Sequence, residues 1–159
     1  EYDTYFTFDS LDQGRLRYRE DEFINESGEI YKVRYRLTLM GPAAEHEYPN
    51  SVLLSRSRFI APANHSLRFY REYFEPAEEF EINKDRLRWL ISFENKEFFI
   101  NIDKITKPAY EGSFLEIKSR TWSRRDAEEK VKIIVKLLGE LGVSDTVSGL
   151  SDYYQLLQN

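Results

Sequence analysis

Arg15-Leu16-Arg17-Tyr18-Arg19 alternates basic and apolar side chains one residue at a time. Successive side chains of a β-strand point to opposite faces of a sheet, so this spacing predicts a strand with three arginines on one face. Leu16 and Tyr18 then lie on the opposite face. The stretch therefore predicts a sheet with one cationic face.

Three further predicted strands, over 29–40, 52–60 and 80–93, also place basic residues two apart. None of the basic sets contains Asp or Glu, although the net charge of the 159-residue chain is −5. A solvated outer face is the alternative for any one strand, but four such sets favour a shared interior that is wet and suited to a polyanion, because unpaired cations are too costly to bury. Arginine forks match phosphate oxygens. The eleven cations are Arg15, Arg17, Arg19, Lys32, Arg34, Arg36, Arg56, Arg58, Lys84, Arg86 and Arg88.

The order of the predicted elements favours an α+β fold. Turn signals divide most of the chain into strand-sized pieces, and a short helix is predicted near 65–73. One long helix follows, with Ser123 and Asp126 at the spacing of a capping box and Gly142 as its stop. A short final helix is predicted over 151–157. The long helix is expected to pack on the sheet through Ala127, Val131, Ile134, Val135, Leu138 and Leu141.

Composition excludes several classes of protein. The chain has no cysteine, which rules out disulfides, thiolate metal sites and a cysteine nucleophile, and is compatible with the cytoplasm, where we place the protein. No apolar run is long enough to span a bilayer, so no membrane partner is expected. The net negative charge argues against a general nucleic-acid binder, with an RNA 5′-triphosphate end as the exception.

Two acidic residues lie in the last two predicted strands. Asp103 and Glu116 are candidate ligands for Mg²⁺ or Mn²⁺, because these hard cations prefer carboxylate oxygens and the phosphates of a bound substrate. Lys118 shares a strand face with Glu116 and is a candidate phosphate-binding residue. The alternative is that the two carboxylates only neutralise the arginines, and the sequence leaves both interpretations open.

Four stretches, taken in this order, resemble the CYTH family, also called triphosphate tunnel metalloenzymes. They run from near the beginning of the chain to its end, and their order and spacing carry the resemblance. They are Asp3-Thr4-Tyr5-Phe6 with Gly14-Arg15-Leu16-Arg17-Tyr18-Arg19; Ile82-Asn83-Lys84-Asp85-Arg86 with Trp89; Ile102-Asp103-Lys104-Ile105 with Gly112 and Phe114-Leu115-Glu116-Ile117; and Leu137-Leu138-Gly139-Glu140-Leu141-Gly142-Val143 with Ser151-Asp152-Tyr153-Tyr154-Gln155-Leu156-Leu157.

The resemblance implies that residues 1–159 form one tunnel domain, an antiparallel barrel of about eight strands with the helices packed outside. It implies a metal-dependent phosphohydrolase that acts on a nucleoside, thiamine or inorganic triphosphate, or on polyphosphate. Arg17, Arg19, Lys84 and Arg86 would hold phosphates. Asp103 and Glu116 would bind Mg²⁺ or Mn²⁺ and, with Lys84, form the catalytic set.

Two departures from the family pattern keep alternatives open. The family's first strand, with its Glu-x-Glu-x-Lys signature, should precede Asp3, so we expect that strand to be missing. Lys118 stands where the family has a second glutamate. One alternative is a cyclase that makes cyclic AMP from ATP. Another is a non-catalytic phosphate-binding module, fused to or partnered with another domain, and a third is a structural β domain without a ligand.

Overall fold

The computed structural model describes residues 1–9, 14–40, 46–48, 52–54, 57–143 and 153–157. They form an α+β fold, as the sequence predicts. In chain order its elements are β1 (Tyr2–Thr7), β2 (Arg15–Ile24), β3 (Ile30–Met40), β4 (His46–Tyr48), β5 (Val52–Leu54), β6 (Ser57–Pro62), α1 (Leu67–Phe74), β7 (Glu78–Phe93), β8 (Lys96–Lys107), β9 (Phe114–Lys118), α2 (Arg124–Glu140) and α3 (Tyr153–Leu157).

Seven strands form one antiparallel sheet in the order β6-β3-β2-β1-β7-β8-β9, and β4 pairs with β5 alone. Both sheets are antiparallel, as predicted. Within the described ranges β6 and β9 lie at opposite ends of the seven-stranded sheet, and no ladder joins them. The sheet is therefore open, and the predicted closure into a barrel is not confirmed.

Two tight turns fix the register of the long hairpins. Between β7 and β8 the chain turns in two residues, Glu94 and Asn95, both at positive φ (47° and 60°), which matches the twist of antiparallel strands. Between β2 and β3, the Asn25 side chain accepts hydrogen bonds from the backbone N–H groups of Ser27 and Glu29, while Gly28 takes a φ of 83°. These turns hold the basic residues of β2, β3 and β7 in fixed positions.

The back face of the sheet is the side that carries Phe6, Leu16, Tyr18 and Phe98, and it holds most of the core. Helix α1 covers Phe6, Leu16 and Tyr18 through the buried ring of Tyr70. At the other end of the sheet α2 covers Phe98. Burial of apolar surface on this side is the main contribution to the stability of the fold.

Helix α2 begins where the sequence predicts, because the Ser123 hydroxyl accepts a hydrogen bond from the backbone N–H of Asp126. Gly142, with a φ of 70°, follows its end. Ala127 is buried as predicted, but beyond it the packing face is rotated by about one residue: Ile133 and Leu137 are buried, whereas Leu141 is exposed. The helix turns this way because it also buries Lys130, whose amine bonds to the carbonyl of Arg120 and to Asp126.

The front face of the sheet is the side that carries Asp3, Arg19, Lys84, Arg86 and Asp103. At one end of this face an apolar cluster of Tyr5, Ile82, Ile105 and Tyr154 is buried. Tyr154 belongs to α3, so the short final helix lies on the charged side of the sheet. No helix in the described part of the chain is long and apolar enough to cross a membrane.

Candidate phosphate-binding face

The centre of the front face is a buried arginine–carboxylate pair that joins the neighbouring strands β1 and β2. Arg19 donates from Nε and Nη2 to the two oxygens of Asp3, both at 2.5 Å. Asp3 is paired directly opposite Arg19 in the sheet, so the strand register places the two side chains on the same face. The fork satisfies both oxygens of a carboxylate that is 1% exposed.

Arg86 on β7 is a second buried centre, and it contacts three carboxylates, two of which lie on the strands β8 and β9. Its guanidinium binds Asp103 through Nε at 2.6 Å and through Nη2, and Nη2 also donates to Glu116 at 3.1 Å. On the other side it lies 3.3 Å from the carboxylate of Glu1. Asp103 is fully buried. The structure therefore brings the predicted Arg86, Asp103 and Glu116 together as one ion-pair network.

Lys84 lies between these two centres and is almost fully buried. Its amine is 3.4 Å from both Glu1 and Asp3, and 4.6 Å from the ring centroid of Tyr153. Burial and the neighbouring arginines outweigh the attraction of the carboxylates, and the pKa of Lys84 falls to about 8. The folded protein therefore destabilises the charged form of this lysine.

A third group of charges surrounds Asp21 on β2. Arg34 donates to Asp21 Oδ2 from Nε at 3.1 Å, and Arg36 donates to the same oxygen from Nη2 at 2.8 Å. The sequence interpretation counted no acid in the β2 set, but Asp21 continues the alternation of Arg15, Arg17 and Arg19 on the same face. The cationic strands are consequently part-neutralised, as a buried cluster requires.

Two arginines of this face have buried nitrogens that lack a hydrogen-bond partner in the described structure. They are Nε of Arg17 and Nε of Arg36. Arg17 makes a long hydrogen bond from Nη2 to Thr38 at 3.5 Å, and its Nε is 4.0 Å from Asp3. Burial lowers the pKa of Arg36, and the nearby arginines lower it further, against the attraction of Asp21. These donors are suited to an additional acceptor.

The other predicted phosphate-binding residues divide into three groups. Arg88 lies on the front face and donates to Asn101 Oδ1 at 2.8 Å, and Arg15 lies 4.4 Å above the ring of Tyr154. Lys118 is half-exposed at the edge of the sheet, 2.7 Å from Glu116. Arg56 and the side chain of Arg58 fall outside the described structure.

Several residues of the network were not predicted from the sequence: Glu1, Asp3, Asp21, Asn101 and Tyr153. Asp3 and Asp21 have the strand parity of the face to which they belong, which is a signal that the sequence does carry. Tyr153 donates its hydroxyl to Asp103 Oδ2 at 2.6 Å. Burial and this hydrogen bond raise the pKa of Tyr153 well above its usual range.

Asp103 and Glu116, the predicted metal ligands, both contact cationic side chains in this structure. Asp103 is bound by Arg86 and Tyr153, and Glu116 accepts from Arg86, Asn101 and Lys118. Among the described residues, no group of three or more His, Asp or Glu side chains is placed to hold a metal. The contacts match the alternative stated above, in which the two carboxylates neutralise arginine.

Fold and site together describe an α+β protein whose open antiparallel sheet carries a buried, mainly basic ion-pair network. Searches against family models, curated proteins and solved structures each found no match for the chain. The resemblance to the CYTH family therefore stays a prediction from the motifs quoted above.

The carboxylates of this network predict acid-sensitive stability. Burial alone would raise the pKa of Glu1, but Arg19, Lys84 and Arg86 together hold it at about 2, and Arg19 holds the pKa of Asp3 lower still. Both values lie below those of the unfolded chain, about 4, so the stabilisation is present above pH 4 and is lost as the pH falls. Urea unfolding at pH 7, 4.5, 3 and 2.5 should show a steep fall below pH 4.5.

Glu72→Gln is the matched control for this prediction, because Glu72 pairs with Arg68 on an exposed part of α1 and should leave the pH profile unchanged. An unfolding free energy that stays constant between pH 4.5 and pH 2.5 would contradict the prediction.

Proposed function

We propose that the front face binds the phosphate chain of a triphosphate-bearing small molecule or of inorganic polyphosphate. The observation that carries this proposal is the pair of buried guanidinium nitrogens on Arg17 and Arg36 without a partner. A buried donor without an acceptor costs about 1–3 kcal/mol, and phosphate oxygens in this position would satisfy it.

The charge balance of the face supports the same ligand. Five carboxylates contact the cations of this face, namely Glu1, Asp3, Asp21, Asp103 and Glu116. Nine predicted basic side chains surround them: Arg15, Arg17, Arg19, Arg34, Arg36, Lys84, Arg86, Arg88 and Lys118. Positive charge is in excess on this face. After burial, the repulsion between these cations is a further cause of the lowered pKa values of Lys84 and Arg36. A bound polyanion would relieve it.

The residues divide into a scaffold and a binding set. Arg19 and Arg86 have their guanidinium groups committed to carboxylates, so they fix the geometry of the face. Arg17, Arg36 and Lys84 have spare donors or long contacts and would bind and orient the phosphate oxygens. Holding the chain in one position and neutralising its charge are also the main requirements for phosphoryl transfer.

The metal-dependent hydrolysis implied by the family resemblance, and the alternative cyclisation of ATP, remain predictions. Since Asp103 and Glu116 are occupied by protein cations, we assign no step to a metal ion. Phosphate binding requires only the front face and does not depend on closure of the sheet into a tunnel.

Calorimetric titration with tripolyphosphate in EDTA tests the proposal. The wild-type chain should bind, and Arg17→Ala should bind at least about tenfold more weakly, because a hydrogen bond from a charged group contributes about 1.5–3 kcal/mol. Arg68→Ala is the matched control: Arg68 lies on α1, pairs only with the exposed Glu72 in the described structure, and should leave affinity unchanged.

Adding excess Mg²⁺ to the same titration, and assaying released phosphate and cyclic nucleotide, separates the remaining alternatives. Release of phosphate would establish the phosphohydrolase, and a cyclic product would establish the cyclase. Binding without turnover leaves the non-catalytic module. No binding in EDTA or in Mg²⁺ would overturn the proposal and leave a structural ion-pair network.

A further inference from the structure

The back face of the sheet has an open band between the part under α1 and the part under α2. Large apolar side chains are exposed there, among them Leu87 at 61% and Trp89 at 46%. A soluble protein that exposes a contiguous apolar surface commonly uses it to bind a partner. The surface is called the central band below, and its exposed apolar residues are Tyr2, Tyr35, Leu87, Trp89, Ile102 and Leu115.

One end of the central band lies on β7, β8 and β9. Leu87 lies opposite Ile102, and Ile102 lies opposite Leu115, so the three side chains form one row across these strands. Trp89 is the next residue of β7 on the same face, and it lies opposite Ile100. Ile100 packs against the core under α2. This end of the band therefore continues that core as an apolar surface without a cover.

The other end of the band lies on β1, β2 and β3. Tyr2 lies opposite Glu20, and Glu20 lies opposite Tyr35. The ring centroid of Tyr35 is 6.2 Å from that of Tyr18, which is buried in the core under α1. The central band thus joins the two cores of the back face.

Three carboxylates surround Tyr2 at this second end. Tyr2 donates its hydroxyl to Glu22 Oε2 at 3.2 Å. This hydrogen bond and the charge of Glu22 raise the pKa of Tyr2, and the charges of Asp85 and Glu20 add to the effect. Lys104 lies opposite Asp85 in the ladder and offsets only part of the negative charge. The band is consequently apolar at one end and acidic at the other.

We propose that the central band docks an amphipathic helix of a partner protein, whose apolar side chains cover Leu87 and Trp89 and whose lysine or arginine side chains reach Glu22. Tyr2 lies opposite Asn83, and Trp89 follows six residues later on β7, a distance of about 20 Å along a strand. A helix of about 13 residues has the same length. Amphipathic helices commonly bind apolar grooves through one face in this way.

Charge favours this partner over a second copy of the chain. In a symmetric dimer the same surface lies on both sides of the interface. Glu20, Glu22 and Asp85 would then face their own counterparts, and like charges placed together in an interface are costly. A basic helix pairs with these carboxylates instead, while it removes the apolar end of the band from water.

Fluorescence titration with two synthetic peptides tests the inference. The chain has two tryptophans, so Trp122→Phe leaves Trp89 as the reporter. A helical peptide of about 14 leucine and lysine residues, long enough to span the band, should shift the Trp89 emission to shorter wavelength in a saturable way. The same peptide with glutamate in place of lysine should bind at least about tenfold more weakly.

Variants of this reporter chain separate the apolar and acidic contributions. Leu87→Ser should weaken binding of the lysine peptide by about tenfold, and Glu22→Gln with Asp85→Asn by about fivefold. Leu90→Ser is the matched control, because Leu90 is 56% exposed on the same strand but has the parity of the front face. It should leave the affinity unchanged.

Three outcomes would overturn the proposal. They are a Trp89 emission that shows no saturable shift, equal binding of the lysine and glutamate peptides, and equal weakening by Leu90→Ser and Leu87→Ser. Sedimentation of the wild-type chain alone tests the other occupant: a dimer that Leu87→Ser dissociates would assign the band to a second copy and overturn the proposal too. Tripolyphosphate should bind Leu87→Ser as it binds the wild type, because the phosphate-binding face lies on the opposite side of the sheet.

Discussion

Arg86→Ala is expected to lower the free energy of unfolding by about 3–5 kcal/mol, the usual result of removing one partner from a buried ion pair. The side chain of Arg86 is 5% exposed and that of Asp103 is fully buried. Without Arg86, Asp103 keeps only the hydroxyl of Tyr153 among its described contacts. Glu116 and Glu1 each keep another cation, so the cost falls mainly on Asp103. Urea unfolding monitored by circular dichroism measures the change.

Two further variants test whether the cost comes from the orphaned carboxylate. Arg68→Ala removes an arginine whose pair with Glu72 is exposed, and it should change stability by no more than about 0.5 kcal/mol. The double variant Arg86→Met with Asp103→Leu should recover much of the stability that Arg86→Ala loses. Replacing both buried charges by apolar groups is often neutral. A loss below 1 kcal/mol for Arg86→Ala would show that Asp103 is not buried as described.

Strand alternation was sufficient to predict the cationic face. The spacing of Arg17 and Arg19, and of Lys84 and Arg86, fixed which side chains lie together, because the side-chain period of a strand is two. The two-residue turn at Glu94 and Asn95 keeps this parity along the β7–β8 hairpin as far as Lys84, where the register shifts. Local sequence was therefore enough to place these cations on one face, although it missed Asp21 and Asn101, whose contacts also lie within single hairpins.

Local patterns do not determine which carboxylates contact a cation when the two lie on strands that are distant in sequence. Asp3 reaches both Arg19 and Lys84 because β1 lies between β2 and β7, and the β1–β7 ladder joins segments that are distant in sequence. Sheet order depends on the packing of the whole domain, so the alternation within each strand leaves it undetermined. The same holds for Tyr153, whose contact with Asp103 depends on which face of the sheet α3 covers.

The packing face of α2 differs from the predicted face for another reason. The apolar pattern treats Lys130 as a surface residue, but this lysine is buried, and its amine bonds to the Arg120 carbonyl and to Asp126. A long basic side chain thus takes a place in the packing face that periodicity assigns to an apolar residue. The buried positions shift to Ile133 and Leu137 as a result.

Arg86 and Lys84 make opposite contributions, although both are basic, buried and two residues apart. Arg86 has matched carboxylates, so its charge is stabilised and holds three strands together. Lys84 has only contacts of 3.4 Å to carboxylates that arginines already bind. The two neighbouring cations therefore differ: Arg86 is a structural cation, whereas Lys84 is kept charged at a cost in stability.

Lys84→Met is expected to weaken tripolyphosphate binding by about tenfold or more while leaving the protein at least as stable as the wild type. The loss of affinity follows from removing one charged donor, which contributes about 1.5–3 kcal/mol. Stability should not fall, because Asp3 keeps Arg19 and Glu1 keeps Arg19 and Arg86. Methionine also fills a similar volume without the cost of burying a charge. Calorimetry and urea unfolding at pH 7 measure the two quantities.

The pH dependence of stability tests whether the buried charge of Lys84 lowers the stability of the protein. Its pKa is about 8 in the folded protein, against an ordinary value of 10.5, so above pH 8 the unfolded chain binds more protons than the folded one. The free energy of unfolding of the wild type should therefore rise between pH 8 and pH 9.5. In Lys84→Met this rise should be absent. A variant that is clearly less stable at pH 7, or that retains the rise, would mean that the Lys84 ammonium is a structural partner of Asp3 and Glu1, and that the phosphate chain must be held by Arg17 and Arg36 instead.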